Sequence, residues 1–322
     1  MATAEQIKAL IRSHLNENSE LFYTIALQVA AHEAQQGHGE LAHEIRDIID
    51  KAQNEKKPTI SKLPVELQGM VLLEEPDVSK ASLILPQNLQ NRLERVIREY
   101  RQQSKLKHFG LTPRRKIMLI GPPGTGKTLT TRVLAHELRL PFYDVQVDKL
   151  VTKFMGETSA KLRQIFDLIQ QEQGVYLFDE FDAIGSERTL DNDVGEIRRV
   201  LNSFLQFIEQ DKSNSMIVTA SNRPELLDKA LIRRFDDVLF FDLPSSEDRK
   251  RLIEKVLSIF KPQTLGWKMI LQESGGLSHS EIDQACKDAI KQAILNDESF
   301  VSPFFLRQMI KERQGSKNGL RK

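Results

Sequence analysis

The sequence predicts an α/β fold: a three-layer αβα unit on a parallel sheet, with a small N-terminal helical domain and a C-terminal helical lid. Three observations predict it. From Leu89 onward, short apolar runs of strand length alternate with segments of helical period, the pattern of a parallel sheet covered by helices on both faces. After Pro244 the strands stop while helical periodicity continues. The chain has 322 residues, 40% hydrophobic and 28% charged, the make-up of an ordinary globular protein with room for two or three folded units.

The elements follow in order. Residues 1–54 read as two to three helices: Ile7, Leu10, Ile11 and Leu15 share a face, as do Phe22, Ile25, Ala26, Val29 and Ala30, and then Leu41, Ile45, Ile48 and Ile49. Asn18-Ser19 and Gly37-His38-Gly39 punctuate these runs. This domain is expected to brace the rest of the chain or to recruit a partner. Residues 55–86 read as a linker, with Pro58, Pro64, Pro76 and Pro86, although Val65 to Leu73 is apolar enough to dock. The core, 87–243, starts with a helix over Leu89 to Leu106. Strands are expected at Lys116–Ile120, Phe142–Val147, Val175–Phe178, Met216–Ala220 and Val238–Phe241. Helices are expected between them at Gly126–Leu138, Ser159–Gln171 and Ile197–Ile208. The lid, 244–313, carries helices over Glu247–Ile259, Glu281–Ile294 and Pro303–Glu312, and 314–322 reads as a frayed tail.

Charge and composition exclude several classes. A net charge of +1 provides no basic field for nucleic acid, so a nucleic-acid partner is not expected. The single cysteine, Cys286, cannot form an internal disulfide. Glu5, Lys8, Arg12 and His14 interrupt Met1 to Leu15 before a secretory core develops, and the longest apolar run, Leu21 to Ala31, is too short to span a bilayer. The expectation is a cytoplasmic protein without a membrane partner.

The chemistry-bearing motif is Gly121-Pro122-Pro123-Gly124-Thr125-Gly126-Lys127-Thr128, which fits the phosphate-binding P-loop and stands after a strand and at a helix start. Glycines let the backbone curl so that successive N–H groups point at phosphate, and the helix adds its positive end. Lys127 is placed to reach the β- and γ-phosphates of ATP, and the Thr128 hydroxyl to hold Mg2+; the cofactor-binding set runs from Gly121 through Leu129. Downstream, Val175-Tyr176-Leu177-Phe178-Asp179-Glu180 is an apolar strand ending in two carboxylates, Asp179 for the magnesium shell and Glu180 to polarise the attacking water.

From Leu85 to Glu312 the chain resembles the AAA family of ATPases. The P-loop is that family's own version, Phe181-Asp182-Ala183-Ile184 follows the acidic pair in its manner, and Thr219-Ala220-Ser221-Asn222-Arg223-Pro224 resembles its sensor-1 strand. Leu227 to Leu231 leads into Arg233-Arg234-Phe235-Asp236, and Gly276-Leu277-Ser278 resembles the start of the lid helix. The resemblance implies that Asn222 orients the water, that Arg233 and Arg234 enter the next subunit's site, and that the chain works as a ring, typically of six. Lys153-Phe154-Met155-Gly156-Glu157-Thr158 resembles the family's central pore loop, whose aromatic grips an extended polypeptide. The sequence departs from the family in several places. The two arginines are adjacent, as in the katanin and spastin branch, and Gln206 to Gln210 stands where an Asp-Gly-Phe signalling stretch is usual. His279 occupies a position usually held by a small residue, where it would touch base or sugar. The Asp-Ile-Gly-Gly-like adenine segment is missing, leaving Leu83 to Pro86 in its place.

The functional expectation is therefore an oligomeric ATPase that remodels, unfolds or threads a protein substrate, with a separate protease or adaptor as a further partner. Two alternatives stay open: a loader or transposition-type ATPase on nucleic acid, kept by the basic stretches Arg98 to Lys107 and Arg114 to Lys116, and a nucleotide-switched scaffold. A fused metalloprotease is excluded, because His32, His43 and His136 lack a second histidine at the required spacing.

Overall fold

The computed structural model describes residues 8, 13, 19–55, 63–153, 157–182, 194–223, 229–262 and 264–319. Its packing divides the chain into two compact units, Met1–Lys62 and Leu63–Lys322. In the first, helices α1 (Ser19–Gln35) and α2 (Gly39–Glu55) are separated by a short turn at Gln36-Gly37, beside the glycine-flanked break expected from the sequence. Ile25, Ala26, Val29, Ala30, Ala42 and Ile49 form the buried face of this pair.

The second unit is built on a six-stranded sheet whose described strands are β1 (Val71–Glu74), β2 (Lys116–Ile120), β3 (Phe142–Val145), β4 (Val175–Phe178), β5 (Met216–Ser221) and β6 (Asp237–Phe240), in the spatial order β1-β3-β4-β5-β2-β6. The last five pair in parallel. β1 runs antiparallel against β3, with Val71 opposite Val145 and Glu74 opposite Phe142. A strand there was not anticipated, because four residues flanked by Pro64 and Pro76 read as linker; they are a strand only because β3 offers a free edge.

Helices cover both sheet faces. α3 (Gln87–Arg101) and α5 (Lys127–Leu138) pack on one, burying Leu89, Leu93, Val96, Val133 and Leu134 against Ile117, Leu119, Val175 and Leu177. α7 (Thr158–Gln171) and α8 (Val194–Gln210) pack on the other, where Ile165, Phe166, Phe204 and Ile208 meet Met118, Tyr176 and Phe178. β4 is buried along its whole length, as a strand covered on both faces must be. The expected helix over Leu89 to Leu106 is two helices, because Gln102 leaves helical geometry and α4 (Gln103–His108) starts anew. The strand expected to reach Val147 ends at Val145, and Val147 instead opens α6 (Val147–Lys153), whose N-terminal side is tied down by the Gln146 N–H donating to Met70 O at 2.8 Å.

After β5 come α9 (Lys229–Ile232) and β6, and then the lid: α10 (Ser246–Leu257), α11 (Trp267–Glu273), α12 (His279–Leu295) and α13 (Pro303–Gly319). Ser245 caps α10 by accepting from the Asp248 N–H at 3.1 Å. Ser278 and Glu281 form a reciprocal capping box on α12. The lid has its own core, centred on Ile253, Leu257, Ile270, Leu277, Ile282, Ala289 and Leu306. α11 was not anticipated, since seven residues carry too little periodicity, and α13 runs on past Gly315 to Gly319 rather than fraying there. No helix of the described residues is long and apolar enough to cross a membrane.

Candidate active site

Parallel strands deliver their carboxyl ends to one edge of the sheet, and β4, β5 and β2 are adjacent there. The P-loop follows β2, Asp179 and Glu180 follow β4, and Asn222 follows β5, so three segments far apart in sequence meet by topology. Their register is held by backbone bonds: the Gly121 N–H donates to Ser221 O at 3.1 Å, and the Phe181 N–H to Ala220 O at 2.9 Å.

The loop geometry requires its glycines. A Cβ on Gly121 would stand 2.0 Å from the Phe241 carbonyl oxygen, so β2 and the exit of β6 approach as closely as they do only through that glycine. Gly124 has φ of 73°, and a Cβ there would meet Ser278 Oγ at 2.7 Å. The Ser280 N–H donates to Gly124 O at 3.0 Å, so the start of the lid helix is joined directly to the P-loop.

Lys127, the first residue of α5, is 6% exposed. Its ammonium donates to Gly121 O (2.7 Å), Pro122 O (3.0 Å) and Asn222 Oδ1 (2.7 Å). Burial lowers its pKa, against the carboxylates of Asp179 and Asp182, which raise it. Thr128 Oγ1 donates to Asp179 Oδ2 at 2.6 Å. The Asn222 N–H donates to Asp182 Oδ1 at 3.2 Å. Glu180 is exposed, and its φ of 51° places a non-glycine residue in the left-handed region, with its N–H donating to Asp179 Oδ1 at 2.8 Å.

A cavity of about 600 Å³ joins these groups. Pro123 through Leu129, Asp179, Glu180, Asn222 and His279 all line it. Gly121 and Pro122 stand behind, as carbonyl acceptors for Lys127. The Ser82–Leu85 segment forms a further wall, overlapping the stretch expected to meet the base. Sequence reading missed the contribution of the lid, Leu252, Lys255, Val256, Asp283 and Lys287, because helical period alone does not say which face meets a loop over a hundred residues earlier. Arg233 and Arg234 do not line the cavity. Both are exposed, and Arg234 pairs with Glu209 of α8. Phe154, Met155 and Gly156 of the expected pore loop lie outside the described residues, as does the side chain of Lys153.

A phosphate-binding loop between β2 and α5, in a parallel sheet of this order with an acidic strand two places away, defines a P-loop nucleoside-triphosphate-binding protein. The sequence profile of the "ATPase family associated with various cellular activities (AAA)" matches residues 117–243. An uncharacterized AAA family ATPase, y4kL, of Sinorhizobium fredii is 31% identical over 304 residues, 92% of this chain and 90% of that protein. The chain belongs to the AAA family of ATPases. A proteasome-activating nucleotidase of Methanothermobacter thermautotrophicus is 28% identical over 271 residues; the match takes in 79% of this chain but 63% of that protein. The solved AAA domain of FIGL-1 superposes with a TM-score of 0.62 over 80% of this chain and 91% of that domain, at 21% identity, and shares its fold.

Proposed function

We propose that the chain hydrolyses ATP with magnesium to remodel, unfold or thread a protein substrate. The observation that carries the hydrolytic part is the convergence of Lys127, Thr128, Asp179, Glu180 and Asn222 on one cavity roofed by the lid. Lys127 would exchange its carbonyl partners for the β- and γ-phosphates, with the backbone of the P-loop around them. Asn222, 2.7 Å from the ammonium, and Glu180, an exposed residue of the cavity lining, would orient and polarise the attacking water.

Magnesium fits the donor set. Thr128 Oγ1 and Asp179 Oδ2 are two hard oxygens 2.6 Å apart, and such an ion takes one or two protein oxygens with phosphate and water completing its shell. When bound, the ion would neutralise charge on the transferring phosphoryl group.

Work on protein is supported by the similarity to proteasome-activating nucleotidases and by the family itself. Arg233 and Arg234, exposed and away from their own cavity, suit a role in a neighbouring subunit's site and hence a homo-oligomeric, hexameric ring. Lys153 to Gly156 is the proposed grip on substrate, with a protease or adaptor as a separate partner and the cytoplasm as the compartment. A substrate trap tests this reading. Glu180→Gln should hold ATP and retain polypeptide clients that the wild type releases; a variant that hydrolyses normally, or captures no protein in ATP, would count against it.

A further inference from the structure

We propose that Glu209 is a positioning residue for Arg234: it holds that arginine within its own chain and yields it to the phosphates of a neighbouring subunit's nucleotide. Resting on the reading of Arg233 and Arg234 as groups that enter a neighbour's site, this role for Glu209 distinguishes what the two arginines do before they arrive there.

Two departures of the sequence from its family meet at this point. The arginines are adjacent, and Gln206 to Gln210 stands where an Asp-Gly-Phe stretch is usual. In the fold the second segment supplies a partner for the first, because Arg234 Nε donates to Glu209 Oε1. Arg233 is exposed beside it and has no ion-pair partner among the described residues.

Both side chains stand on fixed backbone. Glu209 lies near the end of α8, between the fully buried Ile208 and Asp211, whose buried carboxylate pairs with Arg115. Lys116 Nζ also donates to Ile208 O. Arg234 follows α9, where its N–H donates to Leu231 O at 3.0 Å and the next residue, Phe235, is buried. The Asp236 N–H then donates to Lys116 O at 2.8 Å. The pair can therefore part by rotation of side chains alone.

Exposure decides which of these contacts can be exchanged. Arg115 and Asp211 are 13% and 0% exposed, whereas Arg234 and Glu209 are 40% and 49% exposed. An exposed pair favours its closed form by no more than about fivefold. A guanidinium meets phosphate through two parallel charge-assisted hydrogen bonds, and an arginine delivered to a transferring phosphoryl group accelerates transfer by about a thousandfold or more. The phosphate therefore wins the arginine, and Glu209 sets a small cost on its departure. Nor does the exchange leave Glu209 bare. Burial chiefly lowers the Lys116 pKa and Arg115 adds to this, but Asp211, Asp236 and Glu209 act against it, so the Lys116 ammonium stands in the field of Glu209 and stays there when Arg234 leaves.

The test is steady-state ATPase kinetics on the full chain, at a protein concentration where specific activity no longer rises. Glu209→Gln removes the charge that competes for Arg234, so kcat/KM should rise about twofold to fivefold, the worth of the exposed pair. Glu209→Asp keeps the charge and should show a smaller rise. In an Arg234→Ala background, Glu209→Gln should leave kcat/KM unchanged, since the carboxylate acts only through that arginine. A merely structural pair gives the reverse pattern, a lower melting temperature for Glu209→Gln with no gain in kcat/KM. A value at or below wild type in Glu209→Gln, or a rise that persists without Arg234, overturns the proposal. The Arg233→Ala/Arg234→Ala variant separates the two levels. If it turns over ATP like wild type, the reading of the arginines as fingers fails; if it loses turnover while Glu209→Gln matches wild type, only the assignment to Glu209 fails.

Discussion

Replacing Glu180 separates a backbone effect from a chemical one at a single residue. Its φ of 51° lies in the left-handed region, where an L side chain costs about 1–2 kcal/mol. The side chain is exposed, so its removal forfeits no packing, and the bond to Asp179 Oδ1 is a main-chain donation that any residue other than proline retains. Glu180→Gly should recover that strain, less about 0.4–1 kcal/mol for the greater freedom of glycine in the unfolded chain. The net gain lies between about zero and about 1.6 kcal/mol, or up to about 6 °C in melting temperature for a folded unit of this size. Glu180→Gln keeps the strained backbone and should melt with the wild type. Both variants should lose nearly all phosphate release while retaining ATP binding, because the Lys127 and Thr128 side of the cavity is untouched. Scanning calorimetry and a phosphate-release assay give the two readouts. A glycine variant that melts below wild type refutes the argument from strain, and turnover at the wild-type rate in either variant refutes the assignment of Glu180.

The remaining predictions concern assembly, substrate and acid stability. Mixing Arg233→Ala/Arg234→Ala subunits with Glu180→Gln subunits should restore part of the ATPase activity that each lacks alone; full activity of a dilute monomer would rule out fingers acting between subunits. Phe154→Ala should melt within about 3 °C of wild type and keep basal ATP turnover while losing work on a protein substrate. A large drop in melting temperature would instead mark Phe154 as core, where such truncation costs about 3–5 kcal/mol. In the lid, burial alone would raise the Asp288 carboxyl, but hydrogen bonds from Arg313, Lys291 and Gln284 outweigh it and hold the group at about 2. A depressed carboxylate stabilises above its unfolded pKa, and that contribution is lost as pH falls from about 4 through 2. Asp288→Asn should flatten the acid destabilisation of the lid over that window, and an unchanged urea-unfolding profile between those pH values would contradict the pairing.

The parts of this protein that were legible in its sequence are those set by local chemistry. A glycine-rich loop between an apolar run and a helix has one well-attested use, and the expectation that Lys127, Thr128, Asp179 and Glu180 share a site came from motif spacing; the structure places all four on one cavity. β4 was legible because a strand buried on both faces is uniformly apolar. Other features depend on partners distant in sequence. β1 is a strand only because β3 has an edge to lend, and nothing in Val71 to Glu74 itself distinguishes it from linker. Asn222 meets Lys127 at 2.7 Å only because β5 lies next to β2, an order that the alternation of strands and helices does not specify.

Local pattern therefore determined that this chain holds a phosphate-binding loop with an acidic pair beyond it, in a layered α/β fold. Tertiary structure decided what encloses that loop. It brought the lid helix onto Gly124 through Ser280 and set Arg233 and Arg234 outside their own cavity. The physical reason is that a motif concentrates its interactions within a few residues, whereas burial and the completion of hydrogen bonds belong to the whole packed unit and are settled only when distant segments meet.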